Sequence, residues 1–513
     1  MNRTKLPILV LFALAILQAC TQPQKEEKTS LPAYSDVIEL IEKVNGYWQQ
    51  NNAPETRSFW DNAAYHTGNM EAYKLTTKEA YRTYSETWAI HNQWMGAKET
   101  DKTKWLYSYG ESDEYVLFGD YQICFQVYAD LYSMKPKLEK IARALEVMEY
   151  QMSTLQNDYW WWLDGLYMVM PVMTRLYKIT ENPLYLDKLY EYFSYANSIM
   201  YDEEEGLYYR DAKYVYPRHK SANGKKDFWA RGDGWVFAAF AQVLKDLPAT
   251  DIHRDEYIQK YQAMAKALKP LQQTEGYWTR SMMDPEHAPG PETSGTAFFT
   301  YGYLWGINNG FLDKETYLPV VLKAWEYLTT MAVQADGRLG YVQPIGERAI
   351  PGQVVDATST SNFGVGAFLL AASEMARYVG AIEQQTAFLP GAIWRDNNGE
   401  HINAHGGGVL YSNGTYYWFG EHKSDHTSSA LKGVTCYSSK DLLHWTNEGI
   451  ALAVEPDGSG SEIEKGCVLE RPKVVYNEKT GKYVMWFHLE LKGQGYDAAR
   501  AGVAVADNPT GPY

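Results

Sequence analysis

Apolar and polar residues follow a helical period over residues 35–385, and few runs in that range alternate with the period of two that strands require. Within this range one pattern recurs, a turn with aromatic, Gly or Asp residues followed by an apolar and aromatic helix. Successive copies begin 59, 43, 67, 65 and 66 residues apart, which leaves room in each interval for a second helix. The copies begin near Phe59, Phe118, Trp161, Phe228, Thr293 and Ser359.

The stretches between these copies are amphipathic and rich in charge, as in Leu184–Met200 and Tyr257–Leu271. Such stretches are typical of helices with one solvated face. Because each helical hairpin can bury its apolar face only against its neighbours, six inner and six outer helices predict an all-α (α/α)6 barrel over residues 35–385. The inner helices would start at one rim, which would collect Asp61, His66, Asp120, Asp164, Arg231, Asp233, Trp235, Ser294 and Thr296.

The pattern changes near Pro390. From Trp394 onward short alternating runs are separated by turns, and Asn413-Gly414 between two aromatic runs is a strong signal for a two-residue hairpin. We expect two four-stranded units, at 401–455 and 465–513. These units would be propeller blades, so residues 390–513 are predicted to form an incomplete all-β propeller of about two blades.

The N-terminus is predicted to be a targeting segment. Arg3 and Lys5 precede an apolar run that ends at Leu17-Gln18-Ala19-Cys20, and this resembles a bacterial lipoprotein signal in which Cys20 becomes lipidated. Residues 1–20 would be the signal peptide and residues 21–34 a polar tether. We therefore expect an exported lipoprotein of the bacterial periplasm or outer membrane, which meets the membrane only through its lipid.

The amino-acid composition and the net charge indicate which classes of ligand the protein can bind. The chain has 42 Tyr and 17 Trp, whose rings stack on sugar rings and whose polar edges bind hydroxyl groups. The formal net charge of −15, with no basic stripe, argues against nucleic acid. No HExxH, paired CxxC or acidic calcium loop occurs in the sequence, and no glycine-rich phosphate loop stands out, so neither a metal nor a cofactor is expected.

The stretch Trp160–Met168 holds the first candidate for catalysis. Asp164 lies between three tryptophans and a glycine, and partial desolvation by such neighbours raises the pKa of a carboxyl group. Asp164 is therefore a candidate general acid, although an aspartate at a helix start can also be an N-cap. Asp120 follows Gly119 at the equivalent place of the preceding copy, so both acids would meet in one cavity. Two nearby carboxylates push their pKa values apart, which leaves one protonated and one ionised.

Arg231 is the candidate for binding a substrate carboxylate, because it lies between Trp229 and Trp235. An ion pair with Asp233 is the alternative for this arginine. His66 is either a substrate contact or part of the packing of the rim. The predicted substrate-binding residues are Arg231, Trp229, Trp235, Trp162, His66, Ser294 and Thr296.

At these positions the chain resembles a known group of enzymes. The runs WWLDGLYM, FWARGDGW and GVGAFLLAASEM are similar to the unsaturated glucuronyl and galacturonyl hydrolases of glycoside hydrolase families 88 and 105, over approximately residues 35–380. The resemblance implies an (α/α)6 barrel and removal of a 4,5-unsaturated uronic acid from the non-reducing end of oligosaccharides left by lyases. It implies that Asp164 is the general acid and base, and that Asp120 is the second acid of the site.

One position departs from that family. Characterised relatives often have His after Leu-Tyr-Tyr in the fourth repeat, whereas this chain has Arg210 after Tyr209. We expect this difference to change the hydroxyl contacts and to favour an acidic or differently branched partner sugar. Arg210 begins a basic loop that also contains Lys213, Arg218, His219 and Lys220.

The C-terminal part resembles glycoside hydrolase family 43, particularly its exo-β-1,3-galactanase-like branch. The resemblance is carried by Asn403-Ala404-His405-Gly406, by Ser439–Trp445 and by Glu470-Arg471-Pro472, and Glu470 matches a site carboxylate of that branch. It implies a substrate derived from β-1,3/1,6-galactan capped with glucuronic acid, as in arabinogalactan. Since the acid of that family lies in a later blade, independent galactanase activity is not expected.

The sequence leaves two other functions to compare with hydrolysis. The first is a non-catalytic lipoprotein that binds glycans and presents them to an enzyme. The second is an (α/α)6 sugar epimerase, which the scarcity of His residues at the six helix starts disfavours.

Overall fold

The computed structural model describes residues 31–384, 388, 393–423 and 429–513. The predicted signal peptide with Cys20 lies outside the described residues, as does the predicted tether up to residue 30. The first helix begins at Tyr34. The α-helices of the described part are α1 Tyr34–Asn51, α2 Trp60–Thr76, α3 Glu79–His91, α4 Gly119–Gln122, α5 Cys124–Met134, α6 Ala142–Ser153, α7 Asp164–Thr180, α8 Leu184–Met200, α9 Ala230–Asp246, α10 Arg254–Leu268, α11 Thr293–Asn308, α12 Lys314–Tyr327 and α13 Asn362–Gln384.

The helices form two layers. The inner helices contact one another in the order α2, α4 with α5, α7, α9, α11 and α13, and α13 returns to α2. The helices between them in sequence pack on the outside of this ring, and α8 buries Tyr185, Leu189, Phe193 and Met200 on one face, as an amphipathic helix does. Residues 34–384 therefore form a helical (α/α) barrel-type fold, as the repeats predict.

The innermost helices are buried on nearly every side. In α13 the stretch Asn362–Glu383 is long and apolar enough, by length and composition, to cross a membrane, and 83% of its most apolar window is buried within the protein. It packs against α2, α11 and α1. These contacts identify α13 as a core helix of the barrel.

The ring closes through a glycine contact between its first and last inner helices. A Cβ added to Gly68 on α2 would lie 2.1 Å from the carbonyl oxygen of Gly366 on α13, and a Cβ on Gly366 would lie 2.2 Å from the carbonyl oxygen of Ala64. No real Cβ atom fits at such distances. The two backbones can approach this closely only because both positions are glycine.

The strands of the C-terminal part form two antiparallel sheets, of order β3-β4-β5-β6 and β7-β8-β9. Asn413 and Gly414 have φ angles of 51° and 74°, which confirms the predicted two-residue turn. A short hairpin of two further strands precedes α9. The strands are β1 Tyr201–Asp202, β2 Leu207–Tyr208, β3 His405–Ser412, β4 Thr415–Glu421, β5 Gly433–Ser439, β6 Thr446–Ala453, β7 Val468–Asn477, β8 Lys482–Glu490 and β9 Arg500–Ala506.

The second sheet departs from the prediction of two four-stranded units, because it has three strands in the described residues. After β9 the chain turns through Asn508 and Pro509, and Tyr513 then donates its N–H to the carbonyl oxygen of Ala451, 2.8 Å away. Two prolines in this tail, Pro509 and Pro512, lack the N–H that a ladder needs. The tail therefore contacts the first sheet instead of extending the second.

We predict that Gly68→Ala destabilises the protein, because the new methyl group would push α2 away from α13. The loss should be about 1–3 kcal/mol or more in the free energy of unfolding. Gly46→Ala on α1 is the matched control, since a Cβ there meets nothing within 4 Å. That change should raise stability by about 0.5–1 kcal/mol through helix propensity. Denaturant unfolding measures both, and equal effects would contradict the close contact.

Candidate active site

A cavity of about 370 Å³ lies among the first turns of the inner helices and the loops beside them. Its position is the rim at which the sequence places Asp120 and Asp164, and both acids line it. Aromatic rings, three cations and two further acids complete the wall. The lining residues are Arg57, Phe59, Trp60, Tyr109, Glu111, Phe118, Asp120, Trp161, Trp162, Asp164, Met168, Arg210, Lys213, Ile345, Gly346 and Glu347.

The ring of Trp162 brings the two acids into one cavity. A Cβ on Gly119 would lie 3.1 Å from this ring, and a Cβ on Gly165 would lie 3.2 Å from it. The indole therefore fills the space beside both glycines, each of which is next to one of the acids. Phe118 extends the aromatic wall, with its ring centroid 4.7 Å from that of Trp162. In each of these two repeats, the glycine next to the aspartate thus leaves room for the same indole ring.

Burial raises the pKa of both acids. For Asp120 the pKa is well above the usual range of an aspartate, first because the group is desolvated and next because Asp164 lies nearby. For Asp164 the pKa is also raised by desolvation, while the positive charges of Arg210 and Arg231 pull it down. Both directions favour the protonated form of these carboxyl groups over that of an exposed aspartate.

The carboxyl group of Asp164 is not used as a helix cap. Helix α7 begins at Asp164, and the residue before it, Leu163, already has helical φ and ψ angles of −64° and −32°. Asp164 therefore lies within the first turn, and the alternative of an N-cap is wrong. Its Oδ2 atom is buried and has no hydrogen-bond partner in the described part of the chain. A buried oxygen of this kind is available to a substrate.

Arg231 supports a loop of the cavity wall. Its side chain is fully buried, and its guanidinium donates to the carbonyl oxygens of Gln343 at 2.6 Å, Pro344 at 3.0 Å and Gly346 at 3.3 Å. Trp229 donates from its indole Nε1 to the side chain of the same Gln343 at 2.8 Å. The described residues contain no ion pair between Arg231 and Asp233. Neither Trp229 nor Arg231 is among the residues that line the cavity.

The other predicted substrate contacts lie beneath the rim. His66 is buried, stacks on Trp88 and shares a hydrogen bond with Ser85, and burial lowers the pKa of its imidazole to about 3. Trp235 is fully buried against Tyr167. His66 and Trp235 therefore pack within the protein, and for His66 this is the alternative to a substrate contact.

Ser294 and Thr296 belong to a buried network around Glu292. The hydroxyl of Ser294 donates to the carboxylate of Glu292 at 2.6 Å, and that of Thr296 donates to the carbonyl oxygen of the same residue at 2.7 Å. Glu292 also accepts from the N–H of Gln343 at 3.1 Å. The network therefore holds the start of α11 and the loop that Arg231 supports. Of the predicted substrate-binding residues, Trp162 alone lines the cavity.

Loops supply the residues that the sequence analysis did not single out. Arg57 and Glu111 form an ion pair of 2.8 Å at the cavity mouth, and the hydroxyl of Tyr214 donates to Glu347 at 2.6 Å. None of these residues belongs to the recurring helix starts, so helical repetition gave no signal for them. Arg210, which the sequence predicts to favour an acidic or differently branched partner sugar, and Lys213 of the same basic loop both line the cavity.

A second cavity, of about 250 Å³, lies near the C-terminal ends of the inner helices. Its charged groups are paired with one another, as in the contacts of Lys74 with Glu71 at 2.7 Å and with Asp130 at 3.0 Å. Cations at helix C-termini also complement the helix dipoles. The charged residues of this second cavity are therefore explained by their ion pairs, which stabilise the barrel. Among the described residues no group of three or more His, Cys, Asp or Glu could hold a metal ion.

A helical barrel-type fold with two desolvated carboxyl groups in an aromatic cavity is an arrangement suited to acid–base chemistry on carbohydrate. The family model described as Glycosyl Hydrolase Family 88 matches residues 38–379, and the chain belongs to this family. It is thus an enzyme of the glycoside hydrolase type, and the family implies an oligosaccharide substrate.

Three relatives are informative. An unsaturated 3S-rhamnoglycuronyl hydrolase of Formosa agariphila is 35% identical over 328 residues, which span 62% of this chain and 84% of that protein. A solved structure described as a polysaccharide lyase is 69% identical and covers 69% of this chain and 99% of its own, with a TM-score of 0.67. A family 88 glycosyl hydrolase from Bacteroides vulgatus is 63% identical and covers 68% of this chain and 100% of its own, with a TM-score of 0.67.

We predict that Asp120→Asn reduces the loss of stability with rising pH. The folded protein holds the Asp120 proton more tightly than the unfolded chain, in which the pKa is about 3.9. Stability is therefore lost as the pH rises from about 4 through the raised pKa of the folded state. Thermal unfolding between about pH 4 and 8 should show a smaller decrease of Tm for the variant. Asp187→Asn, on the exposed face of α8, is the control, and parallel curves for all three proteins would contradict the raised pKa.

Proposed function

We propose that the protein removes a 4,5-unsaturated uronic acid from the non-reducing end of oligosaccharides that lyases release. The observation that carries this proposal is the buried carboxyl group of Asp164, which has a raised pKa and an Oδ2 atom without a partner in the described residues. A carboxyl group that is protonated near neutral pH can give a proton to carbon and then act as a base. The name of the Formosa agariphila relative supports the same reaction class.

The chemistry is a hydration of the C4=C5 enol ether. Asp164 donates its proton to C4, and a water molecule adds its oxygen to C5 while the carboxylate of Asp164 takes a proton from that water. The carboxyl group thus returns to its starting state. The hemiketal at C5 opens to a ketone, and the exposed hemiacetal at C1 releases the rest of the oligosaccharide. Asp120 helps to position and polarise the reacting group.

The glycan is proposed to be of the arabinogalactan type, with glucuronic acid on a β-1,3/1,6-galactan. This part of the proposal is supported by the resemblance of residues 390–513 to galactanase-like propellers. The two C-terminal sheets would then be propeller blades that contact the galactan. An (α/α)6 barrel followed by propeller blades is the architecture that we propose for residues 35–513.

A second candidate function is the β-elimination that creates the double bond. It is favoured by the 69% identity to a structure described as a polysaccharide lyase. In this reaction a carboxylate removes the proton from C5, the C4–O4 bond breaks, and the second acid gives a proton to the departing O4. Two acids whose pKa values are pushed apart can supply both the base and the proton donor. Elimination and hydration therefore both need the two acids of the enzyme beside C4 and C5 of the sugar.

Ultraviolet absorbance separates the two reactions because only the unsaturated acid is conjugated. We predict that absorbance falls with lyase-generated oligosaccharides if the enzyme hydrates its substrate. A rise with intact oligosaccharides that end in substituted glucuronate would instead establish elimination. Unchanged absorbance with glucuronyl and galacturonyl substrates of both kinds, accompanied by saturable binding, would leave the glycan-binding alternative in place of catalysis.

We predict that Asp164→Asn lowers kcat by about 10²–10⁴-fold, since an amide can neither give nor take the proton. Asp120→Asn should also lower kcat. Asp187→Asn makes the same chemical change on an exposed outer helix and is the control for expression and folding. Activity in Asp164→Asn close to that of the unmodified enzyme would remove Asp164 from the mechanism.

We further propose that the protein is exported and anchored through lipid on Cys20. The support is the basic start and apolar run before Leu17-Gln18-Ala19-Cys20. The expected outcome is that the full chain partitions into detergent when expressed in a bacterium, whereas Cys20→Ser stays in the aqueous phase. Equal partition of both proteins would refute the anchor.

A further inference from the structure

Both reactions proposed above act on a uronic acid, and the inference here rests on that proposed substrate class. The carboxylate of such a sugar is attached to C5, next to the bond that reacts. A cation that binds it would therefore lie within reach of Asp164. The arginine predicted for this role, Arg231, already donates to three backbone carbonyl groups and does not line the cavity.

Three cations do line the cavity, and their environments differ. Arg57 is half-exposed at the mouth, where it pairs with Glu111 and lies 4.3 Å above the ring of Phe59. Lys213 is exposed on the basic loop. Arg210 is largely buried, with 13% of its side chain exposed. Burial strengthens an ionic hydrogen bond, so Arg210 is the cation best suited to hold a carboxylate.

The guanidinium of Arg210 bonds to the protein through one of its edges, and its other edge has no hydrogen-bond partner among the described residues. Its Nη1 atom contacts the carboxylates of Asp211 and Glu347, the latter at 3.5 Å. Its Nε atom is buried without a hydrogen-bond partner, and its Nη2 atom makes no hydrogen bond to any described residue. The N–H groups of Nε and Nη2 are parallel and match the two oxygens of a carboxylate.

The backbone fixes Arg210 beside the acid. The N–H of Leu163, the residue before Asp164, donates to the carbonyl oxygen of Arg210 at 2.9 Å, and Trp162 forms a β-bridge with Asp211. The guanidinium also lies 5.6 Å from the ring centroid of Trp161. The arginine is thus held on three sides before any substrate arrives.

We infer that Arg210 binds the carboxylate of the uronic acid through Nε and Nη2, and thereby places C4 and C5 at Asp164. Asp211 and Glu347 are positioning residues for this guanidinium. Arg210 is thus a determinant of the affinity of this enzyme for the acid form of the sugar. Lysine would keep the charge but not the paired donors.

The test compares an unsaturated glucuronyl disaccharide with its methyl ester. Isothermal titration with Asp164→Asn, which blocks turnover, is expected to show tighter binding of the acid by about ten- to a hundredfold. Adding Arg210→Lys should remove most of that preference. Arg218→Lys, an equal change on the same loop but outside the cavity, should retain it. An acid preference that survives Arg210→Lys overturns the inference.

Arg210 is buried, so its variants must be shown to fold by thermal unfolding. Should Arg210→Lys not fold, Glu347→Gln offers a milder change, because the side chain of Glu347 is 54% exposed. Loosening the guanidinium in this way should reduce the acid preference partly, and an unchanged preference would count against the inference.

Different experimental results would contradict the role of Arg210 and the proposed reaction. Equal binding of acid and ester by the Asp164→Asn protein overturns the role of Arg210 whichever reaction the enzyme catalyses. Absence of turnover by the unmodified enzyme, together with an acid preference that depends on Arg210, would overturn the proposed reaction alone. Chemical rescue of Arg210→Ala by free guanidinium would add a signature that a purely structural arginine does not give.

Discussion

The structure depends on keeping two carboxyl groups, Asp120 and Asp164, out of water in one cavity. Both lie in the first turn of a helix, where the dipole favours the ionised form by about 0.3–1 kcal/mol and at most about 2 kcal/mol. The pKa of each group is nevertheless raised. Desolvation therefore outweighs the helix dipole, and it does so because aromatic rings replace water around the acids.

Such a cavity needs a rigid frame, since an acid with an unsatisfied buried oxygen lowers stability. The frame is the ring of inner helices, closed where the backbones of Gly68 and Gly366 meet. Across the cavity, the buried Arg231 and Glu292 hold the loop that carries Glu347. Charged groups thus have two uses, as hydrogen-bonded supports within the frame and as groups that line the cavity.

The sequence alone was sufficient to predict the ring of inner helices and the position of the two acids in one cavity. Each inner helix repeats the same apolar and aromatic pattern, and Asp120 and Asp164 occupy equivalent places in adjacent repeats, so repetition alone brings them together. The partners of Arg231 could not be predicted, because they are backbone carbonyl groups of a loop more than a hundred residues away. Sequence motifs identify a residue type at a helix start but not the direction of its side chain.

The same limit of local sequence patterns explains two other differences between the prediction and the structure. The N-cap alternative for Asp164 is wrong because Leu163 already has helical φ and ψ angles, and the N–H of Leu163 bonds to Arg210 in a loop that the local pattern does not reveal. The second sheet has three strands in the described residues, and the residues after β9 include two prolines and contact the first sheet. In both cases a tertiary contact or a missing donor overrides a local pattern.

Arg210 links substrate recognition to the state of the acid. In the free enzyme its positive charge lowers the pKa of Asp164 against the effect of burial. A carboxylate bound on the open edge of the guanidinium would offset that charge, so the pKa of Asp164 would rise further when substrate is present. The acid would then hold its proton most firmly when C4 lies beside it. The charge of an anionic substrate would thus help to keep the proton on Asp164.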